Sequence, residues 1–197
     1  DLGDGNTLID IALSNLSKLN NVDEKYLAAY DEELKEHITD GVDILHRSYE
    51  SVKPGNAPHS IMYNHLNKVK SDYIINYNPC QPFVKVEELQ KLIDWFKQSD
   101  CKSAITVQKE RNFFWDKIKN PINFKANDRL STTAGPWVYS ATHSLVFYEK
   151  NYMLSEWELF PNTKDNPFPL VTDWSENELI DVDTELDFKL AKLIYNE

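Results

Sequence analysis

Residues 73–107 read YIINYNPCQPFVKVEELQKLIDWFKQSDCKSAITV, and this stretch indicates the fold class most clearly. It opens with an apolar run at 73–77, continues through a turn with two prolines, and ends with a second apolar run at 104–107. Between the runs, apolar residues recur at the helical spacing i, i+3, i+4 and i+7: Leu89, Leu92, Ile93 and Phe96. Short apolar strands that alternate with amphipathic helices favour a parallel sheet covered by helices on both faces.

The same alternation runs through much of the remaining chain. The pattern predicts helices at 7–20, 31–41, 61–69 and 184–195, and strands at 26–30 and 42–45. The first and last of these helices begin with capping boxes, which pair Thr7 with Asp10 and Thr184 with Asp187. We therefore expect a single α/β domain over residues 1–197, with a doubly wound, mostly parallel sheet.

The composition narrows the function class. The chain has 197 residues and a formal net charge of −11, from 21 basic and 32 acidic side chains. Such a charge argues against a protein that works by neutralising nucleic-acid phosphates. No apolar run approaches the roughly 18 residues of a membrane-spanning helix. The two cysteines, Cys80 and Cys101, suit neither a disulfide framework nor a zinc cluster, and they favour the reducing cytoplasm.

The start of the chain departs from the alternation. Each predicted unit is a strand followed by a helix, yet the helix at 7–20 has no strand before it. In such sheets the first strand-to-helix turn commonly holds the phosphates of a nucleotide. Only five glycines occur, and none belongs to a Walker-type phosphate loop. We therefore expect a further strand and a phosphate-binding loop ahead of Asp1.

Residues 111–169 interrupt the regular alternation and are rich in aromatic side chains. We interpret them as an irregular elaboration of the domain that packs on the sheet or against another subunit. The alternative is that these aromatic residues form part of the local core, because aromatic side chains bury well without a ligand.

The sharpest local feature is the stretch IDVDTELD at residues 180–187. In an extended segment Asp181 and Asp183 point to the same side, where both can reach one hard cation such as Mg²⁺ bound to a nucleotide phosphate. The alternative is that the acidic residues only favour the positive end of the helix that Thr184 caps. Both interpretations can hold together, since different residues carry them.

Two further places are candidate binding sites. Asn78 and Gln81 follow the strand at 73–77, so they are expected at the carboxyl edge of the sheet, where open α/β sheets bind ligands. Their side chains could contact a polar substrate, or the segment could be an ordinary proline-containing turn. Arg47 ends another predicted strand and could pair with a phosphate or carboxylate, or be a solvated surface arginine.

These segments resemble the acylneuraminate cytidylyltransferase family. Residues 180–194, IDVDTELDFKLAKLI, are closely similar to the IDIDTEEDF pattern near the end of that family. Residues 5–13 resemble its GKPLIDYTI segment, residues 30–34 its STDDEEI segment, and residues 78–83 its QPTSPLR loop. Arg47 stands where the family has an arginine at a strand end. The resemblance covers nearly the whole chain and is weakest between residues 120 and 166.

The resemblance implies a nucleotide-diphospho-sugar transferase-like fold and a dimer joined by an inserted arm, here within the aromatic segment. It also implies magnesium-dependent transfer of CMP from CTP to a keto-acid sugar, with release of pyrophosphate. Carried over by position, Asp181 and Asp183 hold magnesium and act in catalysis, Arg47 binds the nucleotide, and Asn78 contacts the sugar.

The sequence also departs from the family. The arginine of its SPLR loop is Val84 here, and its asparagine-glycine pair has no match near Thr142 and His143. The sugar is therefore not expected to be a common sialic acid. These departures, and the lack of the family's nucleotide loop within residues 1–197, leave an alternative open: a non-catalytic binding or scaffold protein that has the same fold and lacks this loop.

Overall fold

The computed structural model describes residues 1–53, 55, 57–125, 127–131, 133, 135–161, 163 and 165–196. Its α-helices are α1 (Leu8–Lys18), α2 (Tyr49–Val52), α3 (His59–Met62), α4 (Val86–Gln98), α5 (Lys150–Glu156) and α6 (Glu185–Tyr195). Its strands are β1 (Tyr26–Ala29), β2 (Asp43–His46), β3 (Tyr73–Tyr77), β4 (Ser103–Arg111), β5 (Trp137–Glu149) and β6 (Phe168–Thr172). Two 3-10 helices span Glu32–His37 and Asn64–Lys68. None of the helices in these ranges has the length and apolar character needed to cross a membrane.

The strands form two sheets within the described residues. Strands β1 and β2 pair in parallel, and a separate four-stranded sheet has the order β3-β5-β4-β6. Strand β5 is antiparallel to both of its neighbours, while β4 and β6 are parallel, so β3, β4 and β6 share one direction. The predicted α/β fold class is confirmed, with β5 as the one strand that runs the opposite way in its sheet.

Apolar clusters cover both faces of the four-stranded sheet. One cluster joins Ile93 and Phe96 of α4 to Leu145 and Phe147 of β5, and the ring centroids of Phe96 and Phe147 lie 4.6 Å apart. The second cluster contains Tyr148, the next residue of β5, together with residues of the 64–68 helix, β2 and α5. Because successive side chains of a strand alternate between faces, β5 contributes to both clusters and lies at the centre of the core.

Strand β5 corrects the expectation that residues 111–169 are irregular. This segment contains the longest of the described strands, 13 residues, and two of its aromatic side chains, Phe147 and Tyr148, have no exposed surface. Other aromatic residues of the segment are exposed, among them Trp115, Trp137 and Tyr139. The aromatic residues at the end of β5 thus form part of the core, whereas Trp115, Trp137 and Tyr139 do not.

Two predicted helices are shorter than expected. In place of the helix at 31–41, the structure has the 3-10 helix Glu32–His37, which buries no side chain. In place of the helix at 61–69, α3 ends at Met62 and the 3-10 helix that follows buries only Leu66. Most helical stability in proteins comes from packing an apolar face, and neither segment has enough buried surface for a long helix.

Both predicted capping boxes are present, at Thr7 with Asp10 and at Thr184 with Asp187. Helix α6 packs against the rest of the protein with Ala191, which is fully buried, and the hydroxyl of its Tyr195 donates to the Asp4 carboxylate at 3.2 Å. Its leucines at 186, 190 and 193 are instead 46–74% exposed. The apolar face that the sequence predicts on this helix therefore points mainly to solvent.

A cavity of about 1310 Å³ separates the two sheets. Its lining includes residues 26–28 of β1, residues 73–77 of β3 and Glu24, which carries a carboxylate. That carboxylate accepts hydrogen bonds from the Ser71 hydroxyl at 2.6 Å and from the Ser71 and Lys70 amides at 2.8 and 3.0 Å. The chain just before β1 is thus tied to the chain just before β3, and we call this contact the Glu24 clamp.

The Glu24 clamp makes a pH-dependent contribution to stability. Hydrogen bonds from the Ser71 hydroxyl, the Tyr26 hydroxyl and the nearby amides lower the Glu24 pKa from 4.5 to about 2, against the opposing effect of burial. A carboxyl group with a lowered pKa in the folded state stabilises the fold above pH 4.5 and loses this effect as the pH falls towards 2.

We expect Glu24→Gln to lower the free energy of unfolding by about 1–2 kcal/mol at pH 7, the scale for losing a charged hydrogen-bond acceptor. Urea unfolding of the two proteins at pH 7, 5, 4 and 3 measures the difference, which should shrink below pH 4.5. The exposed Glu176→Gln serves as control and should have little effect. A difference that stays constant from pH 7 to 3 would contradict this account.

Candidate functional site

The turn after β3 is held in place by its own first residue. The Asn78 amide donates to the Ser144 carbonyl at 3.0 Å, which extends the pairing of β3 with β5 by one residue. The Asn78 side-chain oxygen accepts a hydrogen bond from the Cys80 amide at 2.9 Å and closes the turn. Asn78 tolerates this arrangement well, because short amide side chains readily bond to the backbone two residues on.

The 181–183 segment docks against this turn. The Val182 amide donates to the Cys80 carbonyl at 2.9 Å. The Asn78 side-chain amide lies 3.3 and 3.4 Å from the two carboxylate oxygens of Asp181, across 103 residues of sequence. The structure thus brings together Asn78 and Asp181, which the sequence predicted as site residues independently of each other.

Cys80 lies close to both predicted metal ligands. Burial raises the pKa of its thiol first, and the negative charges of Asp181 and Asp183 raise it further. A thiolate beside two carboxylates is disfavoured, so the thiol stays protonated and is a poor nucleophile. Of the two carboxylates, that of Asp181 contacts the turn directly, through the Asn78 side chain. Sequence reasoning noted Cys80 only for its lack of a disulfide partner.

The capping of α6 leaves the two aspartates free for another role. The Thr184 amide and hydroxyl donate to the Asp187 carboxylate at 2.8 and 2.7 Å, and these bonds lower the Asp187 pKa. Capping therefore needs neither Asp181 nor Asp183 as a side-chain partner. Both interpretations of the acidic stretch are compatible with the structure.

The two carboxylates suit magnesium by the chemistry of their donors. Within the described ranges no group of three or more His, Cys, Asp or Glu side chains is arranged to hold a metal ion. Magnesium in nucleotide enzymes is commonly bound by one or two carboxylates, with substrate phosphates and water completing the coordination. Asp181 and Asp183 are of the residue type that could hold it in that way, and magnesium binding by them stays a prediction.

Gln81 has a different environment from its neighbours in the turn. It is 1% exposed, its amide nitrogen donates to the Thr142 carbonyl at 2.6 Å, and its amide oxygen accepts from the Ser144 hydroxyl. These bonds show a role in fixing the turn against β5. The substrate contact predicted for Gln81 stays a prediction.

A bulge in β5 makes this network possible. The pairing of β4 with β5 shifts register between Ile105 and Val107, and His143 has a φ of 57°, in the left-handed region. The Thr142 hydroxyl donates to the Thr106 hydroxyl at 2.8 Å. Bulges often lie next to functional sites, because the extra residue redirects the side chains around it. In this protein the bulge lies beside Ser144, whose carbonyl accepts the hydrogen bond from the Asn78 amide.

Arg47 lies one residue past β2, on the cavity. Its guanidinium donates to the Ser51 carbonyl at 2.7 Å and to the Ser51 hydroxyl at 3.3 Å. Both Arg47 and Pro79, a residue of the turn, line the cavity between the sheets. The structure thus places Arg47 and the Asn78 turn at one cavity, while it shows no contact between Arg47 and Asp181.

His65 also lines the cavity, and its place beside apolar positions in the sequence is typical of a packed or half-exposed histidine. Burial first, and then the charge of Arg47, lower its pKa from 6.5 to about 4, so the imidazole is neutral at pH 7. Its Nδ1 atom is buried without a hydrogen-bond partner among the described residues. The sequence did not indicate that His65 lies near Arg47, because this depends on how the 64–68 helix packs against the residue after β2.

Comparison with solved structures identifies the fold. The structure of 4-diphosphocytidyl-2C-methyl-D-erythritol synthase from Anaerococcus prevotii is similar to this chain with a TM-score of 0.67 and 15% identity, over 99% of this chain and 88% of the other. A CMP:2-keto-3-deoxy-manno-octonic acid synthetase complexed with CTP gives 0.62 and 10%, over 98% and 89%. A 2-C-methyl-D-erythritol 4-phosphate cytidylyltransferase from Francisella tularensis gives 0.58 and 15%, over 98% and 89%.

No protein-family model and no curated protein matches the sequence. The structural similarities extend over nearly the whole chain, and they show the predicted nucleotide-diphospho-sugar transferase-like fold.

Proposed function

We propose that this protein is a cytidylyltransferase, which transfers CMP from CTP to an acidic sugar and releases pyrophosphate. The observation that carries the proposal is the docking of the 181–183 segment on the turn after β3, through Val182 and the Asn78 side chain. This contact sets two carboxylates at the carboxyl end of a strand, where open α/β sheets bind ligands. The residues involved are those on which the family resemblance rests.

The similar structures support the choice of nucleotide. Each of the three compared above is named as an enzyme that makes a cytidine nucleotide derivative, and one of them is complexed with CTP. Their identity to this chain is 15% or less, so CTP remains a proposal for this protein. The net charge of −11 makes a local cation necessary wherever the chain binds a triphosphate.

The proposed reaction needs positioning and charge stabilisation more than a reactive side chain. A hydroxyl oxygen of the sugar attacks the α-phosphorus of CTP, the bond from that phosphorus to the bridging oxygen breaks, and pyrophosphate leaves while the hydroxyl proton passes to solvent. Magnesium, when bound, would neutralise phosphate charge. Asp181 and Asp183 would hold it, and the Cys80 thiol beside them would stay neutral.

The other predicted residues would orient the substrates. Arg47 would bind an anionic group of the nucleotide at the cavity, in exchange for part of its present bonding to Ser51. Asn78 would contact the sugar with its side-chain amide, which already points to Asp181. Holding both reactants in place can supply much of the rate enhancement of such a transfer.

We further propose that the acceptor of the CMP group is a keto-acid sugar. It rests on the family resemblance of residues 180–194, while Val84 departs from the arginine of the family's loop. Two of the similar structures are named for methylerythritol substrates instead. An assay should therefore compare keto-acid sugars with phosphorylated polyols as acceptors.

The test is pyrophosphate release from CTP and Mg²⁺ with a panel of keto-acid sugars and phosphorylated polyols, run on this chain and on a chain extended upstream. We expect release with CTP and a keto-acid sugar, and at least about tenfold less with ATP, GTP or UTP. Pyrophosphate release only with phosphorylated polyols would show that the acceptor is a phosphorylated polyol and not a keto-acid sugar. Failure of both chains to bind CTP would support the non-catalytic alternative.

We also propose that the protein forms a homodimer through residues 111–139, which we call the arm. The arm carries a series of large exposed apolar side chains: Phe114, Trp115, Ile118, Ile122, Leu130, Trp137 and Tyr139. Monomeric proteins rarely expose large contiguous apolar patches. A second copy of the same arm is the occupant that the family resemblance implies.

The double variant Ile118→Glu/Ile122→Glu is expected to dissociate this dimer, because both side chains, 71% and 64% exposed, would place charge in an apolar interface. Sedimentation at micromolar concentration should give twice 23.0 kDa for the unchanged protein and 23.0 kDa for the variant. Leu193→Glu, at a position 69% exposed on α6, is the matched control and should stay dimeric. A monomeric unchanged protein would rule the arm interface out.

A further inference from the structure

We propose that Glu178 is a positioning residue, whose buried carboxylate holds the 181–183 segment in place against the turn after β3. The proposal rests on the function proposed above, in which Asp181 and Asp183 bind the magnesium ion. Glu178 would act through these two aspartates and not on the substrates. Its role is to keep the segment docked, so that the two carboxylates are in place when the cation and the nucleotide bind.

Glu178 is set apart from the other acidic residues by its burial. Of the Asp, Glu, Lys and Arg residues in the described part of the chain, only Glu178 is buried, with 7% of its surface exposed. Glu176, in the same turn of the chain, is exposed. Charged side chains are rarely buried unless partners replace the water that they lose. The partners of Glu178 therefore indicate what its carboxylate does.

These partners belong to two different parts of the chain. One carboxylate oxygen accepts hydrogen bonds from the Ser175 amide at 2.9 Å and from the Ser175 hydroxyl at 2.7 Å. The other oxygen lies 3.7 Å from the Lys85 ammonium group. Burial raises the Glu178 pKa, but the bonds from Ser175 and the charge of Lys85 outweigh it and lower the pKa overall. The charged form is thus favoured, and it links the chain before Asp181 to Lys85.

The bonds to Ser175 make the chain before the acidic segment rigid. Ser175 and Glu178 have the reciprocal bonding of a capping box, because the Glu178 amide also donates to the Ser175 hydroxyl, at 3.5 Å. The Leu179 amide donates to the Ser175 carbonyl at 3.2 Å and completes one helical turn. Just before this turn, Trp174 packs against the first apolar cluster. The acidic segment therefore leaves from an anchored turn.

The segment is attached to one loop at two points. This loop, residues 78–85, runs from the turn after β3 to the residue that precedes α4. The Val182 amide bonds to a carbonyl near the start of the loop, and Glu178 faces Lys85 at its end. A single backbone hydrogen bond is a weak attachment, because water competes for both groups. Asp181 lies between the two attachments, so together they restrict the movement of its carboxylate.

The docked fraction of the segment determines how tightly the proposed site can bind a cation. The apparent affinity of a site falls in proportion to the fraction of molecules in the binding-competent state. Loss of the Glu178 contact would therefore raise the magnesium concentration needed for turnover. Saturating magnesium would restore kcat, because the cation stabilises the docked state to which it binds. Loss of a ligand, as in Asp181→Asn, would not be restored in this way.

The first experiment measures docking without metal or nucleotide. We expect Glu178→Ala to speed hydrogen exchange of the Val182 amide by at least about tenfold, since the docked state protects this amide through its bond to the Cys80 carbonyl. Glu178→Gln keeps the length of the side chain and an oxygen that can accept from Ser175, so its effect should be smaller. If the alanine variant does not fold, the glutamine variant provides the comparison. Glu176→Gln is the control in the same turn and should exchange like the unchanged protein.

The second experiment measures the magnesium requirement of pyrophosphate release. In Glu178→Ala the half-saturating Mg²⁺ concentration should rise by at least about fivefold, while kcat at saturating Mg²⁺ should stay within about twofold of the unchanged protein. Glu24→Gln removes a similar hydrogen-bonded carboxylate at the Glu24 clamp and controls for a general loss of stability. It should leave the magnesium requirement unchanged.

Three results would overturn the proposal. Val182 exchange that is the same in the Glu178 variants and in the unchanged protein would show that Glu178 does not hold the segment. Faster exchange without a higher magnesium requirement, or an equal rise in Glu24→Gln, would show that the contact is only structural. If the unchanged protein neither binds CTP nor releases pyrophosphate, the proposed function fails, and Val182 exchange alone then decides whether Glu178 keeps the segment docked.

Discussion

Asp181→Asn is expected to lower the magnesium-dependent kcat/KM for CMP transfer by about two to three orders of magnitude, the scale on which removing one charge-stabilising group slows an enzyme. The variant keeps an amide that can face Asn78, but it removes one of the two negative charges available to a cation. Pyrophosphate release over a range of Mg²⁺ concentrations measures the loss. Asp183→Asn should give a loss of the same order.

The control for this prediction is Thr184→Ala in the same segment. Thr184 accepts a hydrogen bond from the Asp187 amide and donates one to its carboxylate, so its loss should cost about 1 kcal/mol of stability. It should leave turnover largely intact. If Asp181→Asn unfolds the protein while Thr184→Ala does not, as seen by circular dichroism, the carboxylate is structural and the metal assignment is wrong.

Phe147→Ala is expected to lower the free energy of unfolding by about 3–5 kcal/mol, since Phe147 is fully buried and stacks on Phe96 at 4.6 Å. For a chain of this size that corresponds to a fall of about 6–20 °C in melting temperature. Thermal and urea unfolding followed by circular dichroism measure the change. The effect tests whether β5 lies at the centre of the sheet.

Tyr139→Ala is the matched control on the same strand. Both substitutions are compared in the Ile118→Glu/Ile122→Glu background, in which the proposed arm interface is absent. Tyr139 is 55% exposed in the single chain, and surface substitutions of this kind change stability by about 0.5 kcal/mol. Equal losses for the two variants would mean that β5 is buried along its whole length, contrary to the structure.

The predicted elements that pack by a regular apolar pattern were found where expected. Helix α4 and the strands on either side of it follow directly from the spacing of their apolar residues. Strand β5 was missed because Thr142 and Ser144 fill buried positions with hydroxyl groups, and a pattern search assigns such residues to the surface. The Ser144 hydroxyl donates to the Gln81 side chain and the Thr142 hydroxyl donates to the Thr106 side chain, and both partners lie far away in sequence.

The individual residues of the candidate site could be predicted from the sequence, but the contacts between them could not. Local sequence indicated a turn at Asn78 and an acidic stretch at Asp181, each with its own chemistry. Their contact depends on the path of the chain across the 103 positions that separate them, which no local pattern encodes. The position of Cys80 beside both aspartates, and the approach of Arg47 to His65, depend on packing in the same way.

The contact between Asn78 and Asp181 also sets an order of events during synthesis. Every strand of both sheets, from β1 to β6, precedes Asp181 in the chain. When strands β1 to β6 have been synthesised, the two carboxylates that the proposed metal site requires have therefore not yet been added to the chain. The sheet can begin to form on the emerging chain, whereas catalytic competence would have to wait for the final segment to dock.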